Sequence, residues 1–280
     1  MPMRPVELIR RSERYLAAHG VESPRETAET LLMHVLRTDR AGLYARTEAL
    51  DLTTARRFGH ALCLRCKGTP LQHLTGEQQF VDLRLEVEPG VFIPRPETEI
   101  VVEVALDALR GRASPRVVDV GTGTGAIALA IARSRPDASV LATDVSEVAV
   151  RLARRNARRL GLAVEVLLGG LLAPIPLDSR GRLDLIVSNP PYVGQGEYAS
   201  LPREVRAEPF EALVGETHVH GQLAREAPQW LAPGGWLVVE IGADQGQQVQ
   251  ALLGQGLVDV EVLPDLAGRD RVVRGRRPPR

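Results

Sequence analysis

The sequence predicts an α/β protein: a mostly parallel sheet with helices on both faces, preceded by a small helical bundle and a β-hairpin connector. Three observations predict it. Residues 1–68 carry helical apolar spacing broken by turn residues. The stretch "VDLRLEVE" then alternates strictly between apolar and charged side chains, the period of a half-buried strand. From residue 115 onward short apolar runs alternate with helical segments, and repeated βα units imply a parallel sheet covered on both faces. The expected division is a helical domain over 1–70, a hairpin connector over 71–95 and an α/β domain over 96–280.

The first helix runs through "VELIRRSERYLAAHG", where Val6, Leu8, Ile9, Tyr15 and Leu16 share one face and Gly20 ends it. In "SPRETAETLLMHVLR" Ser23 suits the N-cap, Pro24 the first helical position, and Glu26 completes a capping box. "TTARRFGHALCLRCKG" is a further helix, ending at Gly68. In the connector, Val81, Leu83, Leu85 and Val87 face one side. Pro89-Gly90 makes a turn, and "VFIP" is the expected hairpin partner. "ETEIVVEVALDALR" opens the next helix. Strands are then expected at "RVVDV", "SVLATD", "AVEVLL", "LDLIVS" and "WLVVEIG". Helices are expected at "AIALAIARS" and "SEVAVRLARRNARRLG", the latter capped by Ser146 and closed by Gly161.

Composition narrows the function. The 280 residues carry 35 basic and 35 acidic side chains. A protein that clamps long nucleic acid usually has a basic excess, because phosphate neutralisation supplies most of its affinity. Two cysteines do not make a disulfide framework. No apolar run approaches the ~20 residues needed to span a bilayer, so a cytoplasmic protein is expected. The tail "RGRRPPR" reads as a solvated, disordered end.

The chemistry concentrates at two places. Gly121, Gly123 and Gly125 follow a strand and precede a helix. Glycine lets the backbone turn tightly and a ligand approach it, and the following helix offers free N–H groups. Gly121, Gly123 and Ala126 also satisfy the dinucleotide fingerprint, and Asp144 at the next strand end suits the two hydroxyls of an adenosine ribose. NAD and S-adenosylmethionine both carry that ribose. Asp119, just before the glycines, favours S-adenosylmethionine, whose ammonium it would attract; a pyrophosphate would be repelled. The second place is "VSNPPYVGQ", where the apolar strand "LDLIVS" stops on Asn189, Pro190, Pro191 and Tyr192. That order has no evident part in hydride transfer.

"DVGTGTGAIALA", "TDVSEVAV", "VSNPPY", "IPRPETE" and "EPFEALVG" together resemble the protein-glutamine N5-methyltransferases that modify peptide chain release factors. "PLQHLTGEQQF" and "LAGRDRVV" extend the resemblance over most of the protein. It implies a Rossmann-like class I methyltransferase sheet and methyl transfer from S-adenosylmethionine to the Gln of a Gly-Gly-Gln tripeptide. It also implies a helical domain that helps hold the release factor. From hydropathy and charge, no membrane partner and no direct nucleic-acid requirement are expected. A monomer is expected. The cofactor set is Asp119, Gly121, Thr122, Gly123, Thr124, Gly125, Asp144, Val145, Leu171 and Asn189. The grip on the substrate Gln is Asn189, Pro190, Pro191 and Tyr192. One position departs: the family usually follows the third strand with Gly-Asp, and this sequence has Gly169-Gly170, so Leu171 or backbone groups are left to line the adenine.

A carboxamide nitrogen is a poor nucleophile, so alignment is what the protein must supply, with nitrogen about 3–3.5 Å from the methyl carbon. The amide C=O of Asn189 and the backbone C=O of Pro190 are two acceptors for the two N–H bonds of the Gln. They bind more strongly as charge develops on nitrogen. The prolines fix φ and donate no N–H. Tyr192 can stack on the flat amide. No general base is required, since the methylated amide is acidic, and no metal is expected. "NPPY" is shared with N6-adenine methyltransferases of DNA or RNA, which stay the alternative.

The weaker signals have plainer readings. Cys63 and Cys66 with His60 lack a second cysteine pair for a metal. "RLARRNARRL" is a solvated basic face with an RNA contact as its alternative, and His218 and His220 are surface or packing residues. "PRPETE" is expected to wall the site, with Arg95 or Glu97 towards the far end of the cofactor.

Overall fold

The computed structural model describes residues 3–279; Met1, Pro2 and Arg280, the two ends of the expected first and last segments, lie outside the described residues. The protein forms two compact units. Among the described residues, one runs up to residue 77 and includes 202–207, and the other comprises 78–201 and continues from 208.

The first unit is helical: α1 (Pro5–Ala18), α2 (Pro24–Leu36), α3 (Arg40–Ala45), α4 (Leu52–Cys66) and α5 (Leu71–Thr75). Leu16, Leu31, Leu32, Leu43 and Phe58 fill its core. By leaving water, each of these residues contributes roughly 1.5–3 kcal/mol. Asp39 and Asp51 cap α3 and α4 by accepting from Gly42 N at 2.7 Å and Thr54 N at 2.9 Å. Ser23 precedes α2 as expected but adopts φ +44°, and its hydroxyl makes no capping bond, so the capping box is not formed. Buried Glu29 is satisfied instead by Arg25, Arg40 and the Tyr44 hydroxyl. From the 202–207 segment, Glu204 pairs with Arg65 of α4. Cys63 and Cys66 are free, half-buried thiols, and no cluster of three or more metal-ligating residues occurs among the described residues.

The hairpin is β1 (Glu77–Phe80) with β2 (Leu83–Glu86), which belongs to the second unit from Gln78 onward. The expected partner was wrong. Val81 is not in a strand but in the two-residue turn, at φ +52°. "VFIP" is buried at Val91 and Ile93 yet pairs with no strand, because the Ile93 N–H donates to the Glu208 carboxylate at 2.8 Å instead.

The main sheet follows α6 (Glu99–Ala108). Its first four strands and their helices are β3 (Arg116–Val120), α7 (Ala126–Ser134), β4 (Ser139–Asp144), α8 (Glu147–Leu160), β5 (Val164–Leu168) and β6 (Leu183–Ser188). Then come α9 (Phe210–Leu213), α10 (His218–Trp230), β7 (Leu231–Glu240), α11 (Gly246–Leu253), β8 (Val258–Pro264) and β9 (Asp270–Arg276). The order is β5-β4-β3-β6-β7-β9-β8, parallel from β5 to β7 and antiparallel at β9 and β8. Successive residues face opposite layers. Val117, Leu185, Val187 and Val238 pack under α6 and α7, while Val118, Val120, Ile186 and Val239 pack under α10 and α11. Both faces are covered, which is why these strands read as continuous apolar runs.

The tail differs from the expected disordered end. Arg274, Gly275 and Arg276 belong to β9, and Arg274 is held by Asp107 at 2.8 Å and by Glu261 at 2.8 Å. The basic face of α8 is largely solvated as expected, with Arg151, Arg154, Arg158 and Arg159 exposed, while Arg155 and Arg159 pair with Glu86 and Arg154 donates to the Val166 carbonyl. Ser146 does cap α8, accepting from Ala149 N at 3.3 Å, and Gly161 closes it at φ +66°.

Candidate active site

Parallel strands β3, β4 and β6 end at one edge. The registers Val120↔Thr143, Asp144↔Leu168 and Val120↔Ser188 bring the glycine loop, Asp144, residues 169–171 and the NPPY turn to that edge. In such sheets ligands bind there, outside the carboxyl ends of the strands.

The glycine loop is tied to β4. Gly121 N and Thr122 N donate to the Thr143 carbonyl at 2.9 and 3.0 Å, and Gly123 N donates to Asp144 Oδ2 at 2.9 Å. Gly121, Gly123 and Gly125 sit at φ +72°, +56° and +87°, the left-handed region where any residue with a Cβ is strained. A Cβ on Gly121 would meet nothing within 4 Å, so the loop leaves open space for a ligand. A Cβ on Gly125 would lie 3.0 Å from Leu129 and 3.3 Å from Ala153, so this glycine serves close packing.

Asp119 is 1% exposed. Its Oδ2 accepts from the Thr122 hydroxyl at 2.7 Å and from Ala128 N at 3.2 Å, standing in for the cap that Gly125 cannot give α7. Its Oδ1 is buried without a partner. Burial pushes the carboxyl up to about 7, against the pull of Thr122 and Ala128. A buried carboxylate oxygen that lacks a donor, set at the base of an open loop, fits an ammonium group.

Asp144 accepts from Gly123 N and, on its other oxygen, from Ser146 N at 2.9 Å. An ionised carboxylate offers about four acceptor positions, so two remain for ribose hydroxyls. Burial raises this carboxyl, while those N–H groups hold it down. Beside Asp144, Val145 is 74% exposed and lines a cavity of about 610 Å³ with Gly170, Leu171, Ala173, Gln222 and Trp230. Leu171 adopts φ +49°, and its carbonyl accepts from the Thr143 hydroxyl at 2.8 Å. Thr124 is buried, its carbonyl taken by Asn156 at 3.0 Å. The residues present therefore fit an S-adenosyl group: a buried acid short of a donor, a free pair of carboxylate acceptors and an open glycine cradle.

At the end of β6, Ser188 donates to the Val120 carbonyl at 2.7 Å, and Asn189 follows. The NH₂ of the Asn189 amide donates to the Thr98 hydroxyl at 3.1 Å. Among the described residues nothing donates to Asn189 Oδ1, and no backbone N–H is bonded to the Pro190 carbonyl. Tyr192 is held twice, by its hydroxyl on Glu240 Oε1 at 3.1 Å and by Gln245 Nε2 on its carbonyl at 2.8 Å. Burial raises the Tyr192 phenol above its ordinary value, so it is neutral and a donor. "EPFEALVG" lies behind this turn. Val193 pairs with Val214 in an isolated parallel bridge, and Val193 N donates to Leu213 O at 2.9 Å.

All the expected site residues thus gather at the sheet edge, with Thr124 facing inward. Arg95 is engaged with Glu208 and stacks 4.9 Å from the Phe92 ring. His220 is buried, its Nε2 2.7 Å from the Glu240 carbonyl oxygen. Sequence reasoning did not single out Thr98, Asn156, Glu240 or Gln245. Glu240 carried a signal, a lone acid ending the apolar run "WLVVEIG".

Fold and glycine loop together define a Rossmann-like methyltransferase that takes S-adenosylmethionine. The sequence model of the methyltransferase small domain matches residues 82–267, and that of the PrmC N-terminal domain matches residues 7–76. A release factor glutamine methyltransferase of Moorella thermoacetica is 46% identical over 92% of this chain and 93% of its own. That of Deinococcus radiodurans is 41% identical over 97% and 98%. The 16S rRNA N2 G1207 methyltransferase of T. thermophilus, solved with AdoMet and guanosine, shares the fold at TM-score 0.56, with 20% identity over 72% of this chain and 49% of that one. The chain belongs to the release factor glutamine methyltransferases. No helix among the described residues is long and apolar enough to cross a membrane.

Proposed function

We propose that this protein transfers the methyl group of S-adenosylmethionine to the side-chain amide nitrogen, N5, of the Gln in the Gly-Gly-Gln tripeptide of peptide chain release factors. The observation that carries the reading is the Asn189 amide, anchored through its nitrogen on Thr98 so that Oδ1 is left as an acceptor beside the Pro190 carbonyl. Bound S-adenosylmethionine supplies an electrophilic methyl on a sulfonium. Asp144 takes the ribose hydroxyls, Asp119 the ammonium, and Gly121 to Gly125 the close approach of the main chain; Val145 and Leu171 line the adenine. Asn189 Oδ1 and the Pro190 carbonyl accept the two N–H bonds of the substrate carboxamide, directing its nitrogen at the methyl. Pro191 fixes the turn, and the Tyr192 ring covers the flat amide. Both acceptors bind more tightly as positive charge grows on that nitrogen, so they favour the transition state over the ground state. The methylated amide then sheds its proton to water.

The protein acts in the cytoplasm as a monomer, with the helical unit contributing to the hold on the release factor. The test is transfer of labelled methyl to a release factor, compared with one whose Gly-Gly-Gln glutamine is replaced by Ala. Label on the first alone is expected. Equal labelling of both overturns the reading, and labelling of nucleic acid without protein turns it towards an adenine substrate.

A further inference from the structure

The buried polar groups around the NPPY turn converge on one acid. Glu240 closes β7 and is 1% exposed. Its Oε1 accepts from the Tyr192 hydroxyl at 3.1 Å. Its Oε2 is buried without a hydrogen-bond partner, and besides Tyr192 and Arg271 the Thr98 hydroxyl is a group that favours the ionised carboxylate. Thr98, itself buried, accepts from Asn189 Nδ2 at 3.1 Å.

The direction of this relay has a chemical consequence. An ionised carboxylate only accepts, and its buried Oε2 has no other donor, so it favours the Thr98 rotamer whose single proton is turned towards Glu240. The Thr98 oxygen then accepts from its other neighbour, which draws the NH₂ of Asn189 inward and leaves Oδ1 facing out. A neutral acid reverses the logic. It can donate to Thr98, whose proton is freed to meet Asn189 Oδ1, and the flipped amide then presents N–H groups outward. An amide N–H turned towards the N–H bonds of a carboxamide repels it, and only the Pro190 carbonyl is then left to accept. Hydrogen-bond networks of this kind in a low-dielectric interior are strongly coupled.

We propose that Glu240 is the positioning residue of the NPPY turn: it holds Tyr192 directly and, through Thr98, fixes which end of the Asn189 amide faces the substrate. The proposal rests on the Gln methyl transfer proposed above.

The charged and titratable groups around Glu240 are Tyr192 from the turn, Glu97 from the segment before α6, and Arg271 from β9. The His220 ring meets the Glu240 backbone carbonyl from α10, and Arg95 acts on Tyr192. Arg271 favours the ionised acid and is itself held by the Ile241 carbonyl at 3.2 Å and Asp265 at 3.4 Å. Glu97 opposes it. Burial is the largest influence and pushes Glu240 up to about 7, so the relay sets in its productive direction as pH rises through neutrality.

The experiment measures kcat at saturating cofactor and release factor from pH 5.5 to 9 (values set ~1.5–2 units either side of that titration). The proteins are the wild type, Glu240→Gln, Thr98→Val and Thr98→Ser, with S-adenosylmethionine affinity titrated in parallel. In the wild type kcat is expected to climb through about 7. Glu240→Gln and Thr98→Val are each expected to lower kcat at least tenfold and to flatten the climb, with cofactor affinity within about twofold of wild type. Thr98→Ser is expected to recover most of the loss, and the Glu240→Gln/Thr98→Val double variant to be no worse than the poorer single variant, since both act on one path. If Glu240→Gln does not fold, the Thr98 pair decides alone. Thr98→Val with wild-type kcat and pH profile overturns the proposal, as does a double variant whose losses multiply. Wild-type protein that does not label the release factor overturns the Gln reading and this proposal with it. Wild-type labelling with indifferent Thr98 variants overturns this proposal alone.

Discussion

A Cβ placed on Gly215 would lie 2.5 Å from the carbonyl oxygen of Pro191. That distance is shorter than any real contact of this type, and the obstacle is backbone, so the turn itself must give. Gly215 N also donates to the Val193 carbonyl at 3.2 Å, which places the end of "EPFEALVG" directly under the NPPY turn.

Gly215→Ala therefore displaces the turn rather than a flexible group. We expect kcat for methyl transfer to fall tenfold or more, with a stability loss of about 1–3 kcal/mol from the forced shift. Affinity for S-adenosylmethionine should hold, because the glycine loop and Asp144 are untouched. Single-turnover transfer, thermal melting and cofactor titration on the same variant separate these effects.

Asn156 is a second constraint that acts at a distance in sequence. Its amide donates to the Glu86 and Thr124 carbonyls, both at 3.0 Å, and accepts from Glu86 N at 2.8 Å. One fully buried amide on α8 thus fastens strand β2 and the end of the glycine loop. Asn156→Ala leaves three backbone groups short of partners, the Thr124 carbonyl buried and the two of Glu86 part-buried. A loss of about 2–4 kcal/mol in urea unfolding is expected, near the upper range for orphaned buried polar groups, together with weaker cofactor binding.

Asp119 predicts a pH dependence of cofactor binding whose sign can be worked out. Burial holds its carboxyl up to about 7. Below that pH the group is neutral and attracts an ammonium weakly; above it the group is ionised. Affinity for S-adenosylmethionine should therefore rise with pH through about 7, by at most tenfold per unit below it. Asp119→Asn should flatten that slope in calorimetric titrations. Stability of the free protein runs the other way. A folded-state value above the ordinary ~3.9 means that folding favours the protonated acid, and this contribution is lost as pH rises through about 7. Melting of free protein at pH values on either side, with and without cofactor, checks both signs.

Much of this was legible in the sequence because strands covered on both faces leave continuous apolar runs, and because glycine and proline mark the turns where ligands sit. "RVVDV", "SVLATD" and "LDLIVS" coincide with β3, β4 and β6. The hairpin was not legible, since alternation over 81–88 cannot reveal that Val81 has left the strand to make the turn. Its true partner, Glu77–Phe80, buries only Phe80 and gives no period. The tail misled for another reason. Arg274 and Arg276 look like a solvated end until the Trp236 ring, 5.0 and 5.6 Å from their guanidinium groups, and the acids Asp107, Glu261 and Asp259 are in view. Hydrogen-bond partners brought together by the sheet edge, such as Glu240 with Tyr192, have no spacing in the sequence to betray them.

Gly170 is the one site position that departs from the family's usual acid, and its surroundings determine what restoring the acid would do. Gly170 does not occupy the left-handed region, and a Cβ there would meet only Val145 Cγ1, at 3.5 Å, an ordinary contact. The new group would project beside the cavity lined by Val145, Leu171 and Ala173, where the adenine edge is proposed to lie. An aspartate there adds an acceptor for an exocyclic amine, a bond to a charged group contributing ~1.5–3 kcal/mol when formed away from water and less at a partly open cavity. Gly170→Asp is therefore expected to fold normally and to tighten S-adenosylmethionine binding about threefold to thirtyfold, the range that ~0.7–2 kcal/mol represents. The gain should vanish for a cofactor analogue whose purine lacks the amine. Titration of both cofactors against both proteins reads the coupling directly. An equal gain for the two would place the new carboxylate on some other part of the ligand and move the adenine away from Gly170.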